Sequence, residues 1–178
     1  MTEHDEFAAR VVPFVGRWHV IHELDLARLI ATHARVRDVC DRLEACADAL
    51  PRRLSDAETD AVCRDLRTVF VSYPRDEDTL IAALFARGLG DPLTAAVVTR
   101  MRARHVSDAI QADDILAALS GVSAPCAEAF GYMLRGFFDG CRREIDFTEL
   151  AILALGAGRL SRNARAILVD GLCGRDAG

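Results

Sequence analysis

Apolar residues recur at intervals of three and four along most of the chain, and no stretch alternates at a period of two. This spacing is typical of amphipathic helices. The run from Glu23 to Leu50 shows it best, with a histidine among the apolar positions: Leu26, Leu29, Ile30, His33, Val36, Cys40, Leu43, Cys46 and Leu50. The pattern predicts an all-α chain of about eight or nine helices.

Helix boundaries are predicted from prolines and capping residues. Pro51 ends the first long helix, and Ser55 with Glu58 forms a capping box for the next. Tyr73-Pro74 predicts a break, because proline lacks the backbone N–H that a helix interior needs. The acidic triplet Asp76-Glu77-Asp78 suits the start of a helix, where the dipole favours negative charge. Further starts are predicted at Asp91-Pro92, Asp113-Asp114, Ser123, Asp146–Thr148 and Ser161.

One segment of the chain recurs. Asp78–Val98 is repeated about 71 residues later as Glu149–Val169, and a shorter copy, Asp114–Gly121, lies halfway between them. Asp25–Val36 is a more degenerate match. Because one helical hairpin cannot bury its own apolar face, such repeats predict stacked copies. We therefore expect a short α-solenoid of antiparallel helical hairpins with a period of about 35 residues.

The predicted domain organisation is a single all-α domain over residues 1–178. Residues 1–54 would hold the N-terminal helices, with a possible degenerate repeat, and residues 55–178 the hairpin repeats.

The segments DTLIAALFARGLG and ELAILALGAGRL resemble the organellar helical-hairpin repeat proteins of the heptatricopeptide and pentatricopeptide kind, over about Leu80–Cys173. The resemblance implies a non-catalytic scaffold for protein–protein and possible protein–RNA contacts, as a mitochondrial subunit of a ribonucleoprotein particle such as a ribosome or RNA-processing complex. The alternative is a compact Bcl-2-like helical bundle of viral type that binds partner helices to block apoptosis or signalling.

Charge and composition narrow the possible functions. The formal net charge is −5, which argues against a strongly basic nucleic-acid binder. All 22 basic residues are arginine. No apolar run approaches the roughly 18 residues that a membrane helix needs, and the acidic start MTEHDEF lacks the features of a targeting segment. The six cysteines form no CxxC pair, so they are interpreted as small core residues in a reducing compartment.

Arginines near the ends of helices are the candidate contacts for a phosphate backbone or a partner. The alternative interpretation is that basic residues simply favour helix C-termini and solvent. The candidates are Arg100, Arg102, Arg104, Arg135, Arg142, Arg143, Arg159, Arg162 and Arg165.

Signals for metal binding or catalysis are weak. His19 and His22, with His33 further on, are compatible with a metal site, but their spacing favours surface or capping histidines. The paired acids Asp76–Asp78 and Asp113-Asp114 are explained by helix capping. No phosphate-binding or nucleophile motif is present. The sequence predicts no catalytic residue, metal ligand, cofactor or small-molecule substrate, and a core role for Phe130, Met133, Phe137 and Phe138.

Overall fold

The structure, a computed structural model, describes residues 23–52, 54–85, 90–156 and 158–173. These residues form helices and no strand, so the all-α prediction is confirmed. The helices are α1 (Glu23–Ala49), α2 (Asp56–Phe85), α3 (Pro92–Leu119), α4 (Ala127–Leu155) and α5 (Arg162–Cys173). Residues 1–22, which belong to the segment predicted to hold the N-terminal helices, lie outside the described residues.

The four long helices run up and down in turn and close into a bundle. α1 packs against α2 and α4, α3 packs against the same two helices, and α5 packs across α1 and α4. The contact between α1 and α4 closes the bundle and includes ion pairs. Arg37 Nη2 lies 2.7 Å from Asp146 Oδ1, and Arg142 Nη2 lies 2.6 Å from Glu44 Oε2. An open solenoid packs each unit only against its neighbours. The predicted hairpin array is therefore not confirmed, because α1 lies against α4.

Three predicted helix starts, at Ser55, Asp91 and Ser161, are confirmed by side-chain hydrogen bonds. At the start of α5 the backbone N–H of Ala164 donates to Ser161 Oγ at 3.0 Å. The backbone N–H of Ser55 donates to Glu58 Oε2 at 2.8 Å, which is half of the expected capping box. The backbone N–H of Thr94 donates to Asp91 Oδ2 at 2.8 Å at the start of α3. In each case a side-chain oxygen accepts from a backbone N–H that a helix N-terminus leaves without an intrahelical partner.

The predicted breaks inside the long helices are wrong. α2 continues through Tyr73-Pro74, α3 through Asp113-Asp114, and α4 through Asp146–Thr148. The acids at these positions therefore lie in helix interiors and are not N-caps. Local propensity is a weak prior that tertiary packing overrides, and helices of 28 to 30 residues fit a bundle in which every turn is packed.

The bundle also explains the recurring segment. Ile81 near the end of α2 and Ile152 near the end of α4 are both fully buried in one apolar cluster, at the same end of the bundle. The intermediate copy, Asp114–Gly121, falls at the end of α3, which runs the other way. The similarity between Asp78–Val98 and Glu149–Val169 thus reflects two parallel helices that end in the same packing environment. The intermediate copy does not share that environment.

The core divides into two apolar clusters along the bundle axis. Cluster I, toward the α1–α2 and α3–α4 connections, contains Val36, Val39, Cys40, Leu43, Cys46, Ala47, Val62, Leu66, Phe70, Ala112, Ile115, Leu134, Phe137, Phe138, Cys141 and Ile145. Cluster II, at the opposite end, contains Leu26, Leu29, Leu80, Ile81, Leu84, Phe85, Val98, Met101, Ile152, Ala164 and Leu168. The separation matters because buried polar side chains lie between the two clusters.

Most of the residues of α4 that were predicted to lie in the core are found there. Phe137 and Phe138 are buried, Phe130 packs against cluster I, and Met133 is half-buried. Four cysteines are buried as predicted, whereas Cys126 and Cys173 are exposed. Within the ranges that the structure describes, no helix combines the length and apolar character needed to span a bilayer.

Candidate metal centre

Four buried polar side chains form a layer between the two apolar clusters, one from each long helix. They are His33 of α1, Glu77 of α2, His105 of α3 and Glu149 of α4, and each is at least 93% buried. We call these four residues the polar layer. Charged groups are almost never buried in this way unless they are paired or bind a metal. The polar layer is therefore the strongest candidate for a functional site among the described residues.

Each member of the polar layer stands at a position that the helix pattern assigns to the core. On α1, His33 lies in the series Leu26, Leu29, Val36, Cys40, all of which are buried. On α3, His105 follows Met101 and precedes Asp108 and Ala112 on the buried face. The same spacing that packs the bundle thus brings one polar group from each helix to a common level.

The two imidazoles face Glu77 through the same ring nitrogen. His33 Nε2 lies 3.8 Å from Glu77 Oε1, and His105 Nε2 lies 3.1 Å from Glu77 Oε2. The other nitrogen of each ring faces a second carboxylate. His33 Nδ1 donates to Glu149 Oε1 at 2.7 Å, and His105 Nδ1 lies 3.4 Å from Oδ1 of Asp78, a half-exposed residue. Each histidine thus lies between two carboxylates.

These contacts shift the pKa values of the layer. Burial alone would lower the pKa of His33, but its contacts with Glu149 and Glu77 outweigh burial and raise it. The pKa of His105 is raised in the same way: burial lowers it, and Glu77 and Asp78 reverse the effect. Burial would raise the pKa of Glu77, yet the two imidazoles bring it down to about 2. These shifts favour protonated imidazoles beside an ionised Glu77 in the metal-free layer.

A second pair of buried acids adjoins the layer on α3 and α4. Asp108 and Glu144 line a small cavity together with His105 and Thr148. Desolvation raises the pKa of both carboxyls, although nearby arginines oppose the shift. These two acids thus lie beside His105 in the cavity, and each has an arginine partner.

The arginines that pair with these acids lie in the α3–α4 groove. Arg104 Nη2 contacts Asp108 Oδ1 at 2.6 Å, and Arg100 Nη2 contacts Glu144 Oε2 at 3.5 Å. The Arg104 guanidinium lies so close to Gly140 that a Cβ at this position would clash with Nη2. The absence of a side chain at Gly140 of α4 therefore leaves room for the Arg104 guanidinium, which contacts Asp108 one turn further along its own helix.

The donor chemistry of the polar layer suits a transition-metal ion. Imidazole nitrogen and carboxylate oxygen together bind iron, zinc, copper and nickel in proteins. Both oxygens of Glu77 are buried and accept no well-aligned hydrogen bond from the described residues, so they retain lone pairs for an ion. As the side chains stand, however, no three His, Cys, Asp or Glu residues of the described ranges are arranged to hold a metal. The residue types fit an ion, and the side chains must shift to bind it.

A protein-family comparison agrees with this chemistry. Residues 24–155, about three quarters of the chain, match the family model described as the hemerythrin HHE cation-binding domain. The chain therefore belongs to the hemerythrin HHE family. The matched segment comprises nearly all of α1 and the whole of α2, α3 and α4, and so includes every member of the polar layer. No curated protein and no solved structure gives a significant match.

Membership in this family corrects the interpretation drawn from the repeat. The resemblance to heptatricopeptide and pentatricopeptide proteins is wrong, and so is the scaffold role in a ribonucleoprotein particle that followed from it. The viral Bcl-2-like alternative has no support either. The misleading signal was the Ala- and Leu-rich end of α2 and α4, which any tightly packed helix pair can share.

The arginines proposed as phosphate or partner contacts are dispersed over the bundle, and most contact the protein itself. Arg135 Nη2 lies 3.2 Å from Asp48 Oδ1, and Arg142 Nη2 lies 2.6 Å from Asp41 Oδ1. Arg143 donates to the carbonyl of Asp139, and Arg159 to that of Leu84. Arg100 and Arg104 pair with the buried acids of α3 and α4 described above, and Arg102, Arg162 and Arg165 are exposed.

Three members of the polar layer escaped the sequence interpretation. Glu77 and Glu149 fall at predicted helix starts. His105 directly follows Arg104, one of the arginines predicted to lie near a helix end, and the structure places both residues inside α3. The available signal was the polar residue at an apolar position, visible for His33 between Leu29 and Val36. His19 and His22, the other candidate metal histidines, lie outside the described residues.

Proposed function

We propose that this protein is a metal-binding helical bundle whose ion is held at the polar layer. The observation that carries the proposal is the buried set of two histidines and two glutamates, one from each long helix, between two apolar clusters. The family match to a cation-binding domain supports the same conclusion. His33, Glu77, His105 and Glu149 would supply the donors.

The chain's own residues would bind, orient and shield the ion. Clusters I and II exclude water from both ends of the layer, which strengthens electrostatic attraction there. The four helices bring the donors to one level, and the side chains would shift locally to bind the ion. α5 covers one side: a Cβ on Gly171 would lie 3.9 Å from Glu149 Oε2. A bound transition metal would supply Lewis acidity or, for iron, redox chemistry.

The remaining functional predictions stay predictions. These are a non-enzymatic role, protein partners in a larger complex and, without the repeat resemblance, location in the cytoplasm. The mitochondrial location rested on the repeat resemblance and is not proposed again.

Metal content tests the proposal directly. Untagged protein is incubated anaerobically with Fe²⁺, or with Zn²⁺ or Mn²⁺, desalted, and assayed for bound metal and protein. The background carries Cys126→Ser and Cys173→Ser, because these exposed thiols could bind metal on their own. We expect bound metal in this background and its loss in a His33→Leu/His105→Leu variant that remains helical by circular dichroism. Equal metal retention by both proteins would contradict the proposal.

A further inference from the structure

The carboxylates around the two histidines have different roles, and this inference rests on the proposed metal-binding function. We propose that one divalent ion binds to a set of two histidines and one carboxylate, namely His33 Nε2, His105 Nε2 and Glu77. Glu149 and Asp78 do not coordinate this ion and instead orient the two imidazoles. The site is therefore mononuclear, with coordination positions left open for an exogenous ligand.

The orientation of the rings assigns the donors. Both Nε2 atoms face Glu77, at 3.8 Å from Oε1 and 3.1 Å from Oε2, so Glu77 is the carboxylate common to both histidines. Each of its oxygens is buried and accepts no well-aligned hydrogen bond from the described residues. Two imidazoles and one carboxylate around an ion form the arrangement that non-haem Fe²⁺ sites use, and that arrangement leaves positions open.

The same orientation assigns the supporting residues. His33 Nδ1 donates to Glu149 at 2.7 Å, and His105 Nδ1 faces Asp78 at 3.4 Å. A histidine that binds a metal through one nitrogen usually donates the other N–H to a carboxylate, which fixes the ring and increases its basicity. Glu149 occupies this position beside His33 Nδ1, and Asp78 lies at the corresponding position beside His105 Nδ1. Glu149 is fully buried and Asp78 is half-exposed, so Glu149 should be the stronger of the two positioning residues.

The neighbouring acids do not extend the site to a second ion. Asp108 contacts Arg104 at 2.6 Å and Glu144 contacts Arg100 at 3.5 Å, so the charge of each is already balanced by a guanidinium. The two buried carboxylates of the polar layer, in contrast, match the charge of one divalent ion. The charge arrangement therefore favours a stoichiometry of one.

The inference is tested by titration with Co²⁺, followed by equilibrium dialysis and by the absorption spectrum of the bound ion. All proteins are untagged and carry Cys126→Ser and Cys173→Ser. Five are compared: this parent, Glu77→Gln, Glu149→Gln, Asp78→Asn and Glu144→Gln. Glu144→Gln is the matched control, because it neutralises a buried carboxylate of α4 outside the assigned donor set.

We expect one Co²⁺ per chain for the parent and for Glu144→Gln, and no saturable binding for Glu77→Gln. Glu149→Gln should weaken binding roughly 10- to 100-fold, and Asp78→Asn less, while both keep the parent spectrum at saturation. A changed spectrum for Glu149→Gln, or two ions per chain, would overturn the inference and leave metal binding intact. No binding by the parent would instead refute the proposed function.

Discussion

His33 on α1 donates a hydrogen bond from Nδ1 to Oε1 of Glu149 on α4, across 2.7 Å and 116 residues of sequence. Both side chains are about 1% exposed. The contact joins the first and last of the four bundle helices at the level where the two apolar clusters separate. It therefore serves both the closure of the bundle and the arrangement of the proposed metal site.

Removal of Glu149 should destabilise the metal-free protein strongly. Glu149→Ala leaves the His33 imidazole buried beside an empty position, and loss of one partner from a buried ion pair costs about 3–5 kcal/mol. The free energy of unfolding, measured by urea titration with a chelator present, checks this. Asp48→Ala is the control, since its pair with Arg135 is exposed and such pairs contribute about 0–1 kcal/mol. Equal losses for the two variants would argue against the buried pair.

The metal-free protein should lose stability as the pH rises from about 5 to 8. The pKa values of His33, His105, Asp108 and Glu144 are all raised in the folded state. Each raised group favours folding while protonated, and this contribution disappears as the pH rises through the folded-state value. The pKa of Glu77, lowered to about 2, acts oppositely, and its contribution is lost only as the pH falls below 4.5.

Urea midpoints in chelator at about pH 5.5 and pH 8 measure this dependence. The midpoint should be higher at the lower pH. Glu144→Gln should reduce the difference, because the neutral amide removes one of the four raised carboxyl and imidazole groups. A higher midpoint at pH 8 for the parent protein would show that the imidazoles are neutral in the folded state.

Cluster I should contribute strongly to stability through Phe137. This side chain is fully buried and its ring centroid lies 5.1 Å from that of Phe70. Phe137→Ala should cost about 3–5 kcal/mol of unfolding free energy, through lost burial and the cavity left behind. Tyr132→Ala on the same helix is the control, because Tyr132 is 81% exposed and surface changes usually stay within about 0.5 kcal/mol.

Closure of α1 against α4 can be tested by charge reversal. Arg37 and Asp146 are 109 residues apart in sequence and their side chains meet at 2.7 Å. Arg37→Glu and Asp146→Arg should each lower stability, by up to about 1 kcal/mol for a partly exposed pair. The double variant should recover most of the loss. Additive losses would place the two residues apart and would favour an open array.

The sequence was sufficient for the helical class and for boundaries marked by local chemistry. Ser55 with Glu58 and Asp91 with Thr94 act within one helical turn, so their effect can be predicted from neighbouring residues alone. The continuity of α2 through Pro74 could not be predicted in this way. It depends on packing along the whole bundle, and a proline there costs stability that other contacts must offset.

The site was missed for a related reason. Glu77 and Glu149 each occur beside other polar residues, and a local interpretation assigns such acids to helix N-termini. Only the meeting of four helices shows that they share a level with His33 and His105. Their sequence separation is large, so no local pattern connects them. The histidine within the apolar series of α1 was the one visible sign.

Metal binding at the polar layer is tested most directly by anomalous diffraction from crystals soaked in Co²⁺ or grown with Fe²⁺. Data collected on both sides of the metal absorption edge locate the ion without assumptions about its ligands. We predict one anomalous peak per chain, adjacent to His33 Nε2, His105 Nε2 and Glu77, with Glu149 still on His33 Nδ1. Peaks confined to the surface, or none in a crystal whose protein binds the metal in solution, would contradict a metal centre in the bundle core.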